Sequence, residues 1–407
     1  MSSVEHLIAR AESLLARLEA VLPHPLNDKH GRTAQLAQWG LLHEGKRSAP
    51  MLLVLSPSDQ RYRDLLARYL DWPDLTEPQM LTFLRQQNAK AVVPQSTEFN
   101  RCWFPYAYQS NQQSVRWLLA NEKPQQPFLA DYIAANRQSL LAALIQPYSL
   151  LADLLAVAAP TKVVPALLIF HWSRTGSTLL ASSMMPVAGC LVLSESMLIS
   201  DVLTDPVWQD RTKELLQLLV HLQSSPWPEC SSIIIKTNAW DLQQWRLWQT
   251  TFPDAKSLCL IRQPAAVLRS HQREAGRHMV KQRVTVWLDD KYQAEDLITY
   301  QQQKLTQLMQ LTAQLVKTGN STLIDYQQLI QLSNRQWRKL TGLPLNDSDI
   351  MTWQQHLKWD AKNNGQLYRL TEPATSDCSP ELAQQYHLLR LQCQDWNADE
   401  LNPLPAV

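Results

Sequence analysis

The sequence predicts an α/β protein with a three-layer parallel sheet, preceded by a mainly helical N-terminal region. Three observations carry this expectation. Five short apolar runs, Leu167–Phe170, Cys190–Leu193, Ile233–Ile235, Leu258–Ile261 and Thr322–Ile324, follow one another from about residue 160 onward. They show little polar alternation, which suits strands covered on both faces. The intervals between them are long enough for crossover helices, and residues 295–316 and 381–396 read as helices rich in Gln and Leu. The expected organisation is an N-terminal region of unassigned role over residues 1–150 and an α/β domain over 160–407.

Along the first region, Leu7, Ala11, Leu14, Leu15, Leu18 and Leu22 recur at helical spacing, with Glu5, Arg10 and Glu12 between them. This is the pattern of an amphipathic helix and not of a signal peptide. Met51–Leu55 is a short apolar run ended by Ser-Pro-Ser-Asp and is expected as a buried strand. Val92–Trp103 mixes Pro, Ser, Asn and aromatic residues and supports no assignment. Glu122–Pro127, EKPQQP, is expected as a surface connection.

Composition narrows the function. The 407 residues are 45% hydrophobic and 18% charged, enough for two domains or for one large domain with an extension. Lys plus Arg number 38 and Asp plus Glu 37, so the net charge is +1. A chain this near neutrality has no global field for nucleic acid or an acidic membrane, and neither partner is expected. The apolar run from Leu150 to Pro160 is broken by Asp153, and no stretch reaches membrane-spanning length. A cytoplasmic protein is the expectation. The six cysteines, Cys102, Cys190, Cys230, Cys259, Cys378 and Cys393, stand at no metal-like spacing and are expected as buried thiols.

The first candidate site follows the run Leu167–Phe170. There stands His171-Trp172-Ser173-Arg174-Thr175-Gly176-Ser177-Thr178, and then Leu179-Leu180-Ala181, which can open a helix. A strand, a glycine-containing loop and a helix start gather backbone N–H groups around an anion. Gly176 lets the backbone approach closely, Ser177 and Thr178 offer hydroxyls, and Arg174 adds a permanent charge. The same pattern would also describe an ordinary turn with a Ser or Thr helix cap. It is not a Walker A loop, because Ser177 and not lysine follows Gly176.

The second candidate site follows Leu258–Ile261. Arg262 ends that strand, Pro264 suits the first turn of a helix, and Ser270 lies eight positions after Arg262. An arginine at the carboxyl end of a strand lies where open α/β sheets hold ligands, and its planar fork grips phosphate. Taken together, the two segments resemble the PAPS-dependent sulfotransferases, PAPS being 3′-phosphoadenosine-5′-phosphosulfate. Arg174 to Thr178 matches that family's first signature. Arg262, Pro264 and Ser270 match its second, with the lead-in Phe252-Pro253-Asp254-Ala255-Lys256. Thr322–Leu329 and Arg338–Pro344 are weaker echoes, and the resemblance spans about residues 165–345.

The resemblance implies a P-loop-like sulfotransferase core that moves a sulfuryl group from PAPS to a hydroxyl or amine acceptor. Arg174, Thr175, Gly176, Ser177 and Thr178 would hold the 5′-phosphosulfate end, and Arg262 and Ser270 the 3′-phosphate. No metal is expected, since sulfuryl transfer can run on positioning and electrostatics and the histidines His171 and His271 stand alone. In the phenol and steroid branch of the family a Lys-Thr-His follows a central strand. Here Lys236-Thr237-Asn238 stands in that place, so the histidine base is missing. Branches acting on sugars or on protein tyrosine use a glutamate placed after the strand that follows the first helix, a place Glu195 fits. Glu195 is therefore the implied base, with a raised pKa, and Lys236 the stabiliser of charge on the transferred group. A small-molecule or glycan-like acceptor is implied.

Two other features are weighed beside these. Arg269, Arg273, Arg277, His278, Lys281 and Arg283 form a basic cluster that reads as a solvated helix face. Lys362-Asn363-Asn364-Gly365 is a candidate for the family's late glycine loop. The alternatives to a sulfotransferase are a P-loop kinase or nucleotide hydrolase and a non-catalytic nucleotide-binding scaffold.

Overall fold

Aromatic and β-branched residues between Trp103 and Leu119 fold back on themselves as a hairpin. In the computed structural model, strands β1 (Trp103–Gln109) and β2 (Ser114–Leu119) pair antiparallel, and β3 (Tyr148–Leu150) extends the sheet beyond β2. Pro105 has no N–H to donate, and the register of β1 shifts between Pro105 and Ala107. Helix α1 (Leu129–Arg137) brings Tyr132 edge-on to Phe104, with ring centroids 5.9 Å apart, and Trp227 stands 5.6 Å from Phe104. Trp117 buries its indole and donates to the Ser149 hydroxyl at 2.9 Å. Helix α2 (Leu151–Val157) follows β3 directly.

The structure describes residues 103–120, 123–137, 148–157, 163–280, 296–329, 331–357 and 378–393, with short pieces at 42–43, 46–47, 74, 76 and 78–79. The chain divides into two units. One comprises Met1–Lys123, Ala130–Thr161 and Leu218–Pro228; the other comprises Pro124–Leu129, Lys162–Gln217 and Glu229–Val407. The expected helix near the N-terminus, the expected strand Met51–Leu55, and the residues Lys281, Arg283 and 362–365 lie outside the described residues. The described part of the region expected to be mainly helical holds the antiparallel sheet β1–β3.

In the second unit each apolar run forms a strand: β4 (Leu167–His171), β5 (Cys190–Ser194), β6 (Ser232–Lys236), β7 (Lys256–Ile261) and β8 (Thr322–Asp325). Among the described residues they make a five-stranded, all-parallel sheet in the order β8-β7-β4-β6-β5. The expected runs stop one residue short at four carboxyl ends, where His171, Ser194, Lys236 and Asp325 complete the strands. Hydrophobic patterning marks only the covered part of a strand. These polar residues stand at the carboxyl-end rim of the sheet.

Successive side chains leave opposite faces of a strand. Leu167, Ile169, Cys190, Val192, Ile234, Leu258, Leu260 and Ile324 share one buried cluster with Leu180 and Met184 of helix α3 (Ser177–Met184). Later in the chain come α4 (Met197–Thr204), α5 (Thr212–Ser224), α6 (Trp245–Thr251), α7 (Pro264–Arg273), α8 (Leu297–Lys317) and α9 (Tyr326–Leu329). They are followed by α10 (Asn334–Thr341), α11 (Asp347–Leu357) and α12 (Pro380–Arg390). Trp337 of α10 and Trp353 of α11 join the same cluster, and the Trp353 indole donates to the Ser183 hydroxyl. Cys259, which points the other way from its neighbours in β7, meets Thr312 of α8 at 3.7 Å. Helices therefore cover both faces, an arrangement compatible with a three-layer α/β fold. No helix among the described residues is long and apolar enough to cross a membrane.

The last helix is tied to the edge strand by a half-buried pair. Tyr386 of α12 donates to Asp325 Oδ2 at 2.6 Å, and the other carboxylate oxygen of Asp325 accepts from the Gln327 N–H at 2.8 Å. Removing the phenol hydroxyl leaves half of a 1% exposed carboxylate without its donor. Tyr386→Phe is expected to lower stability by about 1–3 kcal/mol, read as a drop in the urea midpoint with an unchanged slope.

Candidate active site at the carboxyl ends of the sheet

The chain leaves β4 toward β5 on one side of the sheet and leaves β7 toward β8 on the other. Neighbouring strands whose connections diverge at their carboxyl ends open a crevice, the place where open α/β sheets hold ligands. The loop 173–178 follows β4, and Arg262 follows β7. The two segments singled out in the sequence meet there: Arg262 Nη1 donates to the Arg174 carbonyl oxygen at 3.1 Å. The Arg262 guanidinium lies over the Tyr326 ring, 4.4 Å from its centroid, so the start of α9 supports its plane.

The loop is strained. Ser173 and Arg174 have φ of 69° and 56°, Gly176 has 87°, and Glu195 has 58°. Three of the four non-glycine residues with positive φ among the described residues thus belong to this site. Each left-handed non-glycine residue costs about 1–3 kcal/mol and persists only where its surroundings fix it. Successive turns of this kind aim backbone N–H groups inward as an anion-binding nest. Gly176 is the N-cap of α3, and no side chain caps that helix, so the ordinary Ser/Thr-cap reading does not describe this turn. Ser177 is buried in the first turn of α3. Thr175 is fully buried, and its Oγ1 has no hydrogen-bond partner among the described residues. An orphaned hydroxyl inside a strained nest fits a loop whose partner is an anion.

Lys236 ends β6 with its side chain wholly buried. Its Nζ donates to Glu195 Oε1 at 2.5 Å and to Thr178 Oγ1 at 3.1 Å, and it lies 4.8 Å from the centroid of the Phe128 ring. The expectation of a raised Glu195 pKa is corrected here. Burial pushes that pKa up, but the Lys236 ammonium and its hydrogen bond outweigh burial and hold the carboxyl below its ordinary value. Glu195 keeps 24% of its side chain in solvent.

His171, isolated in the sequence, is locked into this site. Its Nε2 donates to the Thr237 carbonyl oxygen at 2.9 Å, and its Nδ1 accepts from the Ser173 N–H at 2.9 Å. Burial first, and then Lys236, lower its pKa to about 3, so it stays neutral and holds the loop in its turn. Asn238, which stands where the phenol and steroid branch has a histidine, is spent on structure. Its Nδ2 donates to Ser200 Oγ at 2.7 Å, to Asp241 Oδ2 at 3.1 Å and to the Ser196 carbonyl oxygen at 3.3 Å. Asp241 accepts also from Ser200 Oγ at 2.6 Å, and burial raises its pKa to about 6 against those bonds.

No protein-family model matches the chain, and no curated protein matches it. What the site can do therefore rests on its own geometry.

Arg174 turns its guanidinium to Glu274, donating to the backbone oxygen at 2.5 Å and to Oε2 at 2.8 Å. Ser270 is half-buried on α7, two turns beyond Arg262. The basic cluster does not form one solvated face, because His278 is 2% exposed and packs between His271 and Trp240. Of EKPQQP, the structure describes Lys123 to Pro127, with Gln125 exposed and Lys123, Gln126 and Pro127 half-buried. Pro124 is buried, Pro127 accepts a hydrogen bond from Ser194 Oγ at 2.9 Å, and Phe128 lies under Lys236. No local signal in that polar stretch marks Phe128 as part of the site.

Proposed function

We propose that residues 160–407 form a P-loop-like sulfotransferase domain that moves a sulfuryl group from PAPS to a hydroxyl or amine acceptor. The observation that carries this reading is the buried Lys236 ammonium, hydrogen-bonded at once to Thr178 of the anion loop and to Glu195. A nucleotide hydrolase or kinase would hold magnesium with an acidic residue and bring a lysine within the loop. Here the cation stands on β6 and the loop has Ser177 in the lysine's place.

In this reading the loop 174–178 holds the 5′-phosphosulfate end of PAPS, and Arg262 with Ser270 holds the 3′-phosphate. The acceptor oxygen forms a bond to sulfur as the bond from sulfur to the phosphate oxygen breaks. The acceptor's proton passes to Glu195, and the leaving 3′,5′-adenosine bisphosphate takes the electron pair. Lys236 neutralises charge growing on the bridging oxygen, the kind of preorganised electrostatic contact that dominates group transfer. As Lys236 turns toward that charge, Glu195 loses its partner and becomes the stronger base.

The test is incubation with PAPS and a panel of alcohols, phenols, sugars and amines, followed by mass spectrometry for an added sulfuryl group. Calorimetry with 3′,5′-adenosine bisphosphate checks the donor site separately. Arg262→Ala is expected to weaken that binding by about 1.5–3 kcal/mol, or roughly 10- to 150-fold. Wild-type protein that releases no heat with the bisphosphate would remove the reading.

A further inference from the structure

One piece of the chain that precedes the α/β domain folds with it. Pro124–Leu129 belongs to the second unit, although the residues on either side belong to the first. Both ends of this strap, Pro124 and Leu129, are buried. Pro124 and Pro127 lock their own φ and bias the residues before them to an extended path, which stiffens the strap.

The strap is fastened beside Lys236. The Pro127 carbonyl oxygen accepts from Ser194 Oγ at 2.9 Å, and Ser194 stands directly across from Lys236 in the pairing of β5 with β6. The next residue, Phe128, sets its ring centroid 4.8 Å from Lys236 Nζ.

An ammonium has three N–H groups to place. Lys236 directs one to Glu195 Oε1 at 2.5 Å and one to Thr178 Oγ1 at 3.1 Å. The Phe128 ring stands against the ammonium at a distance where its face attracts a cation. The effect shows in the two halves of the ion pair. Glu195 keeps 24% of its side chain in solvent, whereas Lys236 keeps none. Water reaches the carboxylate and not the ammonium.

A dry ammonium is a stronger electrostatic tool. At an effective dielectric of about 20 its pull on a nearby charge is about four times that in bulk water. With the ring on one side and no water, its hydrogen bonds have two directions left, the loop after β4 and Glu195. We propose that Phe128 is a positioning residue, carried by the strap, that seals Lys236 from water and aims its ammonium in those two directions. Its effect on transfer rests on the sulfotransferase reading; the seal does not.

The test treats the native full chain with the N-hydroxysuccinimide ester of acetic acid and follows single lysines by peptide mass spectrometry. Lys213, exposed at the start of α5, is the internal reference. In the wild type Lys236 is expected to be acetylated at least about tenfold more slowly than Lys213, as a group reached only through local opening. Phe128→Ala is expected to raise the Lys236 rate about tenfold, and Phe128→Leu, which keeps an apolar cover, by no more than about twofold. Ser194→Ala unfastens the strap without altering the ring and is expected to fall between them; it decides the matter where Phe128→Ala does not fold. All rates are read well below the unfolding transition, where a loss of stability alone leaves Lys236 covered. Lys236 that reacts as fast as Lys213 in the wild type, or that stays protected in every folded variant of Phe128→Ala and Ser194→Ala, would overturn the inference.

With an acceptor found in the panel, Phe128→Ala is expected to lower kcat about tenfold and to leave the KM for PAPS within about twofold, because the seal acts on the reacting charge and not on the grip on the donor. An unchanged kcat, or a loss confined to KM, overturns the aiming role. Wild-type protein that neither binds the bisphosphate nor transfers a sulfuryl group removes the sulfotransferase reading, and the acetylation rates still decide the seal.

Discussion

Lys236→Met is expected to lower stability at pH 7 by about 3 kcal/mol and to reduce sulfuryl transfer by about 100- to 1000-fold. The two losses have different origins. The stability loss comes from Glu195, whose carboxylate remains in the site after its 2.5 Å partner is gone. Breaking one half of a buried pair is expensive because a charge is stranded. The lower end of the usual range applies because Glu195 keeps some contact with water. The activity loss follows from the proposed role of Lys236, a cation at the leaving oxygen. The double variant Lys236→Met, Glu195→Gln tells them apart. It strands no charge, so most of the stability returns, while transfer stays lost. A double variant as unstable as the single one would show that packing against Phe128 dominates instead of the ion pair.

The same pair sets a pH dependence. In the wild type the folded pKa of Glu195 lies below its ordinary value. Its contribution to stability is therefore complete above about pH 5 and is lost as pH falls through the folded pKa. In Lys236→Met the carboxyl is buried without a cation, so its folded pKa rises above the unfolded value. That group then favours the folded state fully only at acid pH and loses its contribution as pH rises through the folded pKa. The stability gap between wild type and variant is expected to be widest near neutrality and to close toward about pH 4. Urea midpoints measured from pH 4 to 8 check this, and a gap independent of pH would contradict it.

How much of this was legible in the sequence depends on the range of each interaction. The five strands of the parallel sheet were readable because strands covered on both faces are written as unbroken apolar runs. The turn after β4 was readable because glycine is scarce in this chain and one falls between a strand and a helix start. The strand ends His171, Ser194, Lys236 and Asp325 were not, since polar residues at a rim carry no period. β1 escaped because Pro105 and the bulge beside it break the alternation that would announce a strand. The lowered Glu195 pKa was unreadable for a different reason. It depends on Lys236, 41 positions away, and only the pairing of β5 with β6 brings the two together. His171 shows the same limit: both of its ring partners come from the folded loop and from the end of β6.

Gly176→Ala is expected to cost about 2–5 kcal/mol and to weaken donor binding at a distance from the substitution. The backbone at Gly176 has φ of 87°, a conformation that an L-residue enters only with strain. A Cβ placed there would lie 2.7 and 2.9 Å from two carbons of the Tyr326 ring and 3.3 Å from Leu329 Cδ2. The ring cannot give way freely, because Tyr326 is 3% exposed and Arg262 lies across its face. Any shift that admits the methyl group therefore moves the support under Arg262, which also reaches the Arg174 carbonyl. The loop after β4 and the arginine after β7 are coupled through one aromatic ring. A companion variant, Tyr326→Leu, vacates the space the new methyl needs. Gly176→Ala with Tyr326→Leu should regain part of the lost stability but not the affinity for 3′,5′-adenosine bisphosphate, since Arg262 still lacks its platform. Calorimetry that finds unaltered bisphosphate affinity in Gly176→Ala would show that loop and arginine act independently.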